Sequence, residues 1–182
     1  MAESAPRAAP QPVNLVNELI NEWISELMNR RAGSARILRT ETDMKQALHH
    51  LTVATGTRGL HEITAGIDSW IDLQDVRTGL LTIFCRHTSA SLLIQENADP
   101  GVRTDLERYF ETIAPEAPGR YVHDAEGPDD MPAHLRAALT TVQLSVPVEA
   151  GRMVLGTWQG IYVFEHRRAA HRRDIVLHLV GE

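Results

Sequence analysis

From residue 142 to the C-terminus, four apolar, β-branched segments follow one another with only turns between them: "VQLSVPV", "GRMVLGTW", "IYVFEHR" and "DIVLHLV". Such runs, bounded by Gly, Pro and charged residues, read as strands. No strand–helix–strand alternation repeats along the chain, which argues against a doubly wound parallel sheet. Upstream, "ALHHLTVATG" is β-rich, and "GLLTIFCRHTSASLLIQEN" reads as two short strands around a Ser/Thr break. Helical spacing occurs at Ile63, Ile67, Trp70 and Ile71, in "DPGVRTDLERYFETI" behind an Asp99 N-cap and Pro100, and in "MPAHLRAALT". The expected fold is α+β, an antiparallel β-sandwich with helices inserted between its strands.

A separate element precedes it. Residues 1–12 are rich in Ala and Pro and have the composition of a disordered segment. Apolar pairs then recur every four residues, at Leu15/Val16, Leu19/Ile20, Trp23/Ile24 and Leu27/Met28. This predicts an amphipathic helix over 14–32, capped by Asn14 and stopped near Gly33, followed by a linker. The chain is therefore expected to divide into an extension, 1–44, and a compact domain, 45–182. Glu18, Glu22 and Glu26 on the helix's polar face speak against a membrane-surface helix.

The net charge of −6 argues against general nucleic-acid binding, which relies on Lys and Arg to neutralise phosphates. No apolar run reaches the roughly 18 residues of a membrane span, and the N-terminus lacks the basic and apolar regions of a secretory signal. The one cysteine, Cys85, rules out an internal disulfide and suits a reducing compartment. A cytoplasmic protein is expected.

The segment with most chemistry is "YVHDAEGPDDMPAH", residues 121–134, with two histidines and four carboxylates in fourteen positions. His123 precedes a Gly-Pro turn and His134 lies in the first turn of the next helix, so both can face one cavity. With His87, at the end of the strand "LLTIFCRHTS", they would supply the three protein ligands of a catalytic zinc and leave a fourth position open. Glu126 would be a further ligand or a base acting on bound water. The alternative is a polar loop in which Asp129 or Asp130 only caps a helix, and a His87 held by structural hydrogen bonds. Glu96 and Asn97 end an apolar strand, where carboxylate and amide have no packing role, and can line the same pocket. "GTWQG" lacks the features of a phosphate loop; its glycines permit a bulge or the close approach of another chain. "EHRRAAHRRD" is a basic hairpin tip, either solvated or meeting phosphate.

Taken together, "RHTSASLLIQENADP", "YVHDAEGPDDMPAH", "SVPVEAGRMVLGTWQGIYVFEHR" and "VLHLVGE" resemble the YjbQ-type family, described as secondary thiamine-phosphate synthases. The resemblance runs from about residue 46 to 182 and leaves the N-terminal extension without a counterpart. It implies a compact antiparallel sandwich assembled as a homotrimer. It also implies a transferase that joins hydroxymethylpyrimidine diphosphate to thiazole phosphate and releases pyrophosphate. The family's histidine motifs fall on His87, His123 and His134, the expected ligands of a divalent metal, zinc being first choice. Its acidic segments fall on Glu96, Asn97, Asp99, Glu126 and Asp129. Glu126, Glu96 and Asp129 are then the expected catalytic residues, and Asn97, Arg103 and Gln159 the expected substrate-binding ones. Mg²⁺ could accompany a diphosphate. The other function classes open to the same residues are a metal-dependent hydrolase or lyase on another small metabolite, and a non-catalytic metal- or metabolite-binding trimer.

Overall fold

A computed structural model describes residues 43–182 continuously, together with Leu19, Ile20, Glu22, Trp23 and Glu26, which are helical. The remainder of the expected 14–32 helix, its linker and the segment before it lie outside the described residues.

Eight strands form two antiparallel sheets. The strands are β1 (Lys45–Thr55), β2 (Gly59–Glu62), β3 (Thr78–Cys85), β4 (Ala90–Glu96), β5 (Gln143–Glu149), β6 (Arg152–Met153), β7 (Gln159–Glu165) and β8 (His171–Gly181). One sheet has the order β1-β8-β3-β5-β6 and the other β2-β7-β4. Three helices are inserted between strands: α1 (Thr64–Ile71), α2 (Pro100–Ile113) and α3 (Asp130–Leu139). The architecture is thus the α+β antiparallel sandwich that the strand pattern implied. Among the described residues no helix is long and apolar enough to cross a membrane.

The core follows from alternation. Leu81 and Ile83 of β3, Val146 and Val148 of β5, and Ile175, Leu177 and Leu179 of β8 all point inward from the larger sheet. They meet Leu92 of β4, Ile161 and Val163 of β7, and Ile67 and Ile71 of α1. The smaller sheet is covered on its other side too, where Leu60, Tyr162 and Phe164 pack with Phe110 of α2. Strand β7, buried on both faces, consequently reads as the unbroken apolar run "GIYVF". Strand β8 alternates buried and half-buried positions because only one of its faces is covered.

Local signals explain the element ends. Asp99 caps α2, its Oδ1 accepting the Gly101 N–H at 2.7 Å, with Pro100 in the first turn. The segment "GRMVLGTW" makes only a two-residue strand. Its remainder turns into β7, where the Gln159 Oε1 accepts the Gly156 N–H at 2.8 Å. Gly160 is needed within the chain itself: a Cβ there would stand 2.9 Å from Glu62 Oε1 and 3.1 Å from the Tyr162 ring.

Candidate metal centre and its surroundings

Strands β4 and β7 run antiparallel, with Ala90 opposite Glu165 at one end and Glu96 opposite Gln159 at the other. Six residue steps separate the two ends, about 20 Å along the strand. His123, His134, Asp130 and the buried Glu165–Arg173 pair collect at the Ala90/Glu165 end.

There, α3 begins at the edge of the sandwich. Asp130 and His134 are four positions apart and share one helix face. The loop before α3 brings His123 back onto the same spot. His123 Nε2 lies 2.7 Å and His134 Nε2 3.4 Å from Asp130 Oδ2, and the two rings are 5.5 Å apart. One ligand atom from each of the three residues lies within 4.8 Å of the other two. Two donors bound to one zinc on opposite sides stand about 4.2 Å apart at most. The cluster is thus close to the spacing that a single ion would require.

Two of the three residues, His134 and Asp130, are held by a further layer of hydrogen bonds, as metal ligands usually are. His134 Nδ1 donates to the Thr88 carbonyl at 3.0 Å, which leaves Nε2 directed at the cluster. Arg167, in the turn after β7, bonds Asp130 Oδ1 through one guanidinium nitrogen. The same guanidinium donates through Nε to Asp129 Oδ2 at 3.2 Å and through the remaining nitrogen to the Glu126 carbonyl at 2.8 Å. One arginine thus ties the loop, the helix start and the buried carboxylate together. Beside His123, a cavity of about 230 Å³ is lined by Tyr121, Asp124, Gly127 and Pro128 among others.

Asp129 stands at the N-cap position of α3, but its side chain makes no capping bond. Burial acts to raise its pKa, but the Arg168 N–H at 2.8 Å and the Arg167 guanidinium outweigh that and hold it low. Glu126 has an exposed side chain and contributes its backbone carbonyl. His87 is bonded differently from the other two histidines. Its Nε2 accepts the Asp174 backbone N–H at 2.7 Å, and burial and Arg173 lower its pKa, so it is a neutral ring with that nitrogen occupied. The third member of the cluster is instead Asp130, for which the Asp130–His134 helical spacing was the signal in the sequence.

Glu96, Asn97 and Gln159 are at the far end of β4 and β7, away from the histidines of the same chain. Asn97 Nδ2 donates to the Gln159 carbonyl, the Tyr162 hydroxyl donates to the Glu96 carbonyl at 3.2 Å, and Arg103 lies in the first turns of α2 close to that end. The residues expected to share one pocket are thus in two places within the chain.

Behind the His123/Asp130/His134 cluster lies a buried polar layer: Glu165, His166 and Arg173 of the expected basic hairpin tip are buried rather than solvated. Glu165 is fully buried and paired through both oxygens with Arg173, the Nε contact being 2.6 Å, while Thr55 donates to Oε2 at 2.6 Å. Burial pushes the Glu165 pKa up, and these donors more than reverse it. His166 Nε2 lies 2.9 Å from the Ser91 hydroxyl. Both residues are fully enclosed, and burial together with the Arg136 charge lowers the His166 pKa to about 3. A neutral, sealed pair of this kind has no route to substrate and acts structurally.

The match with known proteins covers this whole layer. The family model described as UPF0047 protein YjbQ-like matches residues 49–182. A UPF0047 protein of Synechocystis is 45% identical over 146 residues, covering 80% of this chain and 99% of its own length. UPF0047 protein YjbQ of Salmonella typhimurium is 47% identical over 133 residues, covering 72% of this chain and 96% of its own. Among solved structures, a YjbQ/UPF0047 protein of Clostridium acetobutylicum, described as uncharacterized, matches with a TM-score of 0.66 at 31% identity, over 72% of this chain and 98% of that one. A protein of unknown function from Sulfolobus solfataricus matches in fold, with a TM-score of 0.70 at 24% identity, over 76% of this chain and 99% of that one. These relatives carry family designations or are of unknown function, and nothing in them supports thiamine-phosphate synthesis. The transferase activity inferred from the family resemblance is withdrawn. With three-quarters of its length in the family model and close relatives matched nearly end to end, the chain belongs to the YjbQ-like UPF0047 family.

Proposed function

We propose that this protein is a metal-dependent protein whose divalent ion, zinc by first choice, is held by His123, Asp130 and His134. The observation carrying this reading is the buried Asp130 carboxylate standing between two imidazoles, with further bonds that hold Asp130 and turn His134 Nε2 towards it. Two imidazoles and one carboxylate with an open fourth position form a donor set of the catalytic kind. A metal there would polarise a bound oxygen and lower the pKa of bound water. The cavity beside His123 would receive a small molecule, and Glu126 and Asp129 would act on the proton or orient the substrate. This supports hydrolytic or lyase chemistry on a small metabolite.

Elemental analysis of untagged protein, after equilibration with zinc and gel filtration, is expected to give one zinc per chain. Asp130→Asn and His134→Ala should each abolish it. Zinc-free wild-type protein would sink the reading, as would stoichiometric zinc in both variants.

Self-association as a homotrimer is part of the same proposal. Support comes from the outer face of the larger sheet, where Leu48, Leu80 and Phe84 are 63%, 47% and 42% exposed. Aligned apolar side chains of this kind on one sheet face suit a protein–protein contact. Light scattering that returns the mass of one 20.3 kDa chain would remove this part.

A further inference from the structure

On the other side of the Arg167–Arg168 turn lies a second cavity, of about 240 Å³, lined by Arg58, Glu111, Pro115, Glu116, Arg136 and Arg168. Three guanidiniums face two carboxylates. Arg136, on α3, is 1% exposed, yet it has no ion pair within 4.0 Å among the described residues. One of its terminal nitrogens donates to the Ala114 carbonyl at 3.0 Å, while its Nε is buried without any partner. An arginine stays charged in proteins, and a buried charge lacking a counter-ion in contact is strongly unfavourable. Packing alone gives no reason to place a cation there.

The other walls are built around one carboxylate. Glu116 bonds Arg58 through Oε1 and Arg168 through Oε2, the latter at 2.7 Å. Arg58 is further fixed by its Nε, which donates to the His166 carbonyl at 3.1 Å, and only 11% of its side chain is exposed. Glu111, 3.6 Å from Arg58, is 57% exposed and mostly in solvent. Arg136 Nε is left without a partner, and Arg168, 67% exposed, keeps donors open to solvent at the cavity wall. Forked guanidinium donors of this kind fit the oxygens of a tetrahedral anion.

We propose that this cavity is a phosphate-binding site, filled by inorganic phosphate or by the phosphate of a small metabolite. Glu116 is the carboxylate that an incoming anion displaces from Arg58 and Arg168, and the anion supplies the counter-charge that Arg136 lacks. The site stands independently of the metal reading, although the Arg168 N–H on Asp129 ties its wall to the start of α3.

The test is calorimetric titration of the full chain with inorganic phosphate, against chloride at matched ionic strength. One saturable phosphate site per chain is expected. Arg168→Gln, at the more exposed wall, should weaken it about tenfold by removing charged hydrogen bonds. Glu116→Gln should tighten it by a similar factor, because the competing carboxylate is gone; a purely structural Glu116 would not give that result. His134→Ala should bind phosphate as the wild type does, which separates this site from the metal cluster. Absence of saturable binding in both the wild type and Glu116→Gln would overturn the proposal. So would binding that is lost in His134→Ala and unchanged in Arg168→Gln.

Discussion

The two ends of β7 differ in the kind of chemistry they hold. At the Gln159 end the charged groups, Glu62, Glu96 and Arg103, stand around the Tyr162 hydroxyl, which donates to the Glu96 carbonyl, while Gln159 closes its own turn on Gly156. At the Glu165 end, three consecutive titratable residues each engage a different side-chain partner. Glu165 takes Arg173, His166 takes Ser91, and Arg167 takes Asp129 and Asp130. One end finishes a sheet with ordinary turn bonds. The other spends buried charge, which costs stability unless every member is paired. That difference is why the proposed metal site belongs to the Glu165 end, and it can be tested by perturbing the two ends in parallel.

The largest effect is expected from Arg173→Met. It strands a fully buried Glu165 carboxylate, and loss of one partner of a buried pair costs about 3–5 kcal/mol. Urea unfolding measures this, and a loss below about 1 kcal/mol, the size of a surface pair, would erase the contrast between the ends.

Next comes a pH effect from His166. Its folded pKa, about 3, lies below the unfolded value of about 6.5, so between those limits only the unfolded chain takes up the proton. Stability is therefore complete above about pH 6.5 and falls as pH drops, by about 1.4 kcal/mol per unit for one proton. From pH 6.5 to 4.5 the loss is about 2.3 kcal/mol, and His87, also lowered, adds in the same direction. Asp129 and Glu165, both held low, keep their contributions until pH falls below the ordinary carboxylate range of about 4. Stability curves at several pH values should show His166→Gln with a slope shallower by about one proton. Equal slopes would mean that His166 charges within the fold.

A smaller effect sharpens the comparison at the metal cluster. Arg167→Gln removes the guanidinium that holds Asp130 without touching a ligand, and zinc affinity should fall about 10- to 100-fold. Competition with a chromophoric chelator reads this directly, and unchanged affinity would show that Asp130 needs no support from the β7 turn.

The smallest effect belongs at the opposite end. Gln159→Ala deletes one side-chain bond to a turn N–H and should cost about 1 kcal/mol, with zinc affinity unaltered. A Gln159→Ala protein that lost zinc would join the two ends and defeat the division drawn here.

Much of the fold was legible because alternation and burial leave a direct record in residue type. The one-sided period of "DIVLHLV" and the unbroken run "IYVF" correspond to strands covered on one face and on two. The Asp99–Pro100 start of α2 was equally local. "GRMVLGTW" was over-read as a strand, since its apolar residues enter a turn whose closing bond comes from the Gln159 side chain.

At the candidate site the sequence by itself marked His123 and His134 but took His87 for the third ligand, although Asp130 stands four positions before His134 on the same helix face. What it could not determine is which ring nitrogen each histidine has free. For His87 that depends on the backbone N–H of Asp174, 87 positions away, and for His134 on the Thr88 carbonyl, 46 positions away. Nor could it reveal that Arg167 clasps Asp129 and Asp130 and Arg173 neutralises Glu165, while Glu96 and Gln159 are carried to the opposite end by the β4–β7 register. Residue type and period are properties of neighbours along the chain and survive in the sequence. The partner of a buried charge is chosen by strand register and by the turn that returns the chain, and only the assembled sandwich decides those.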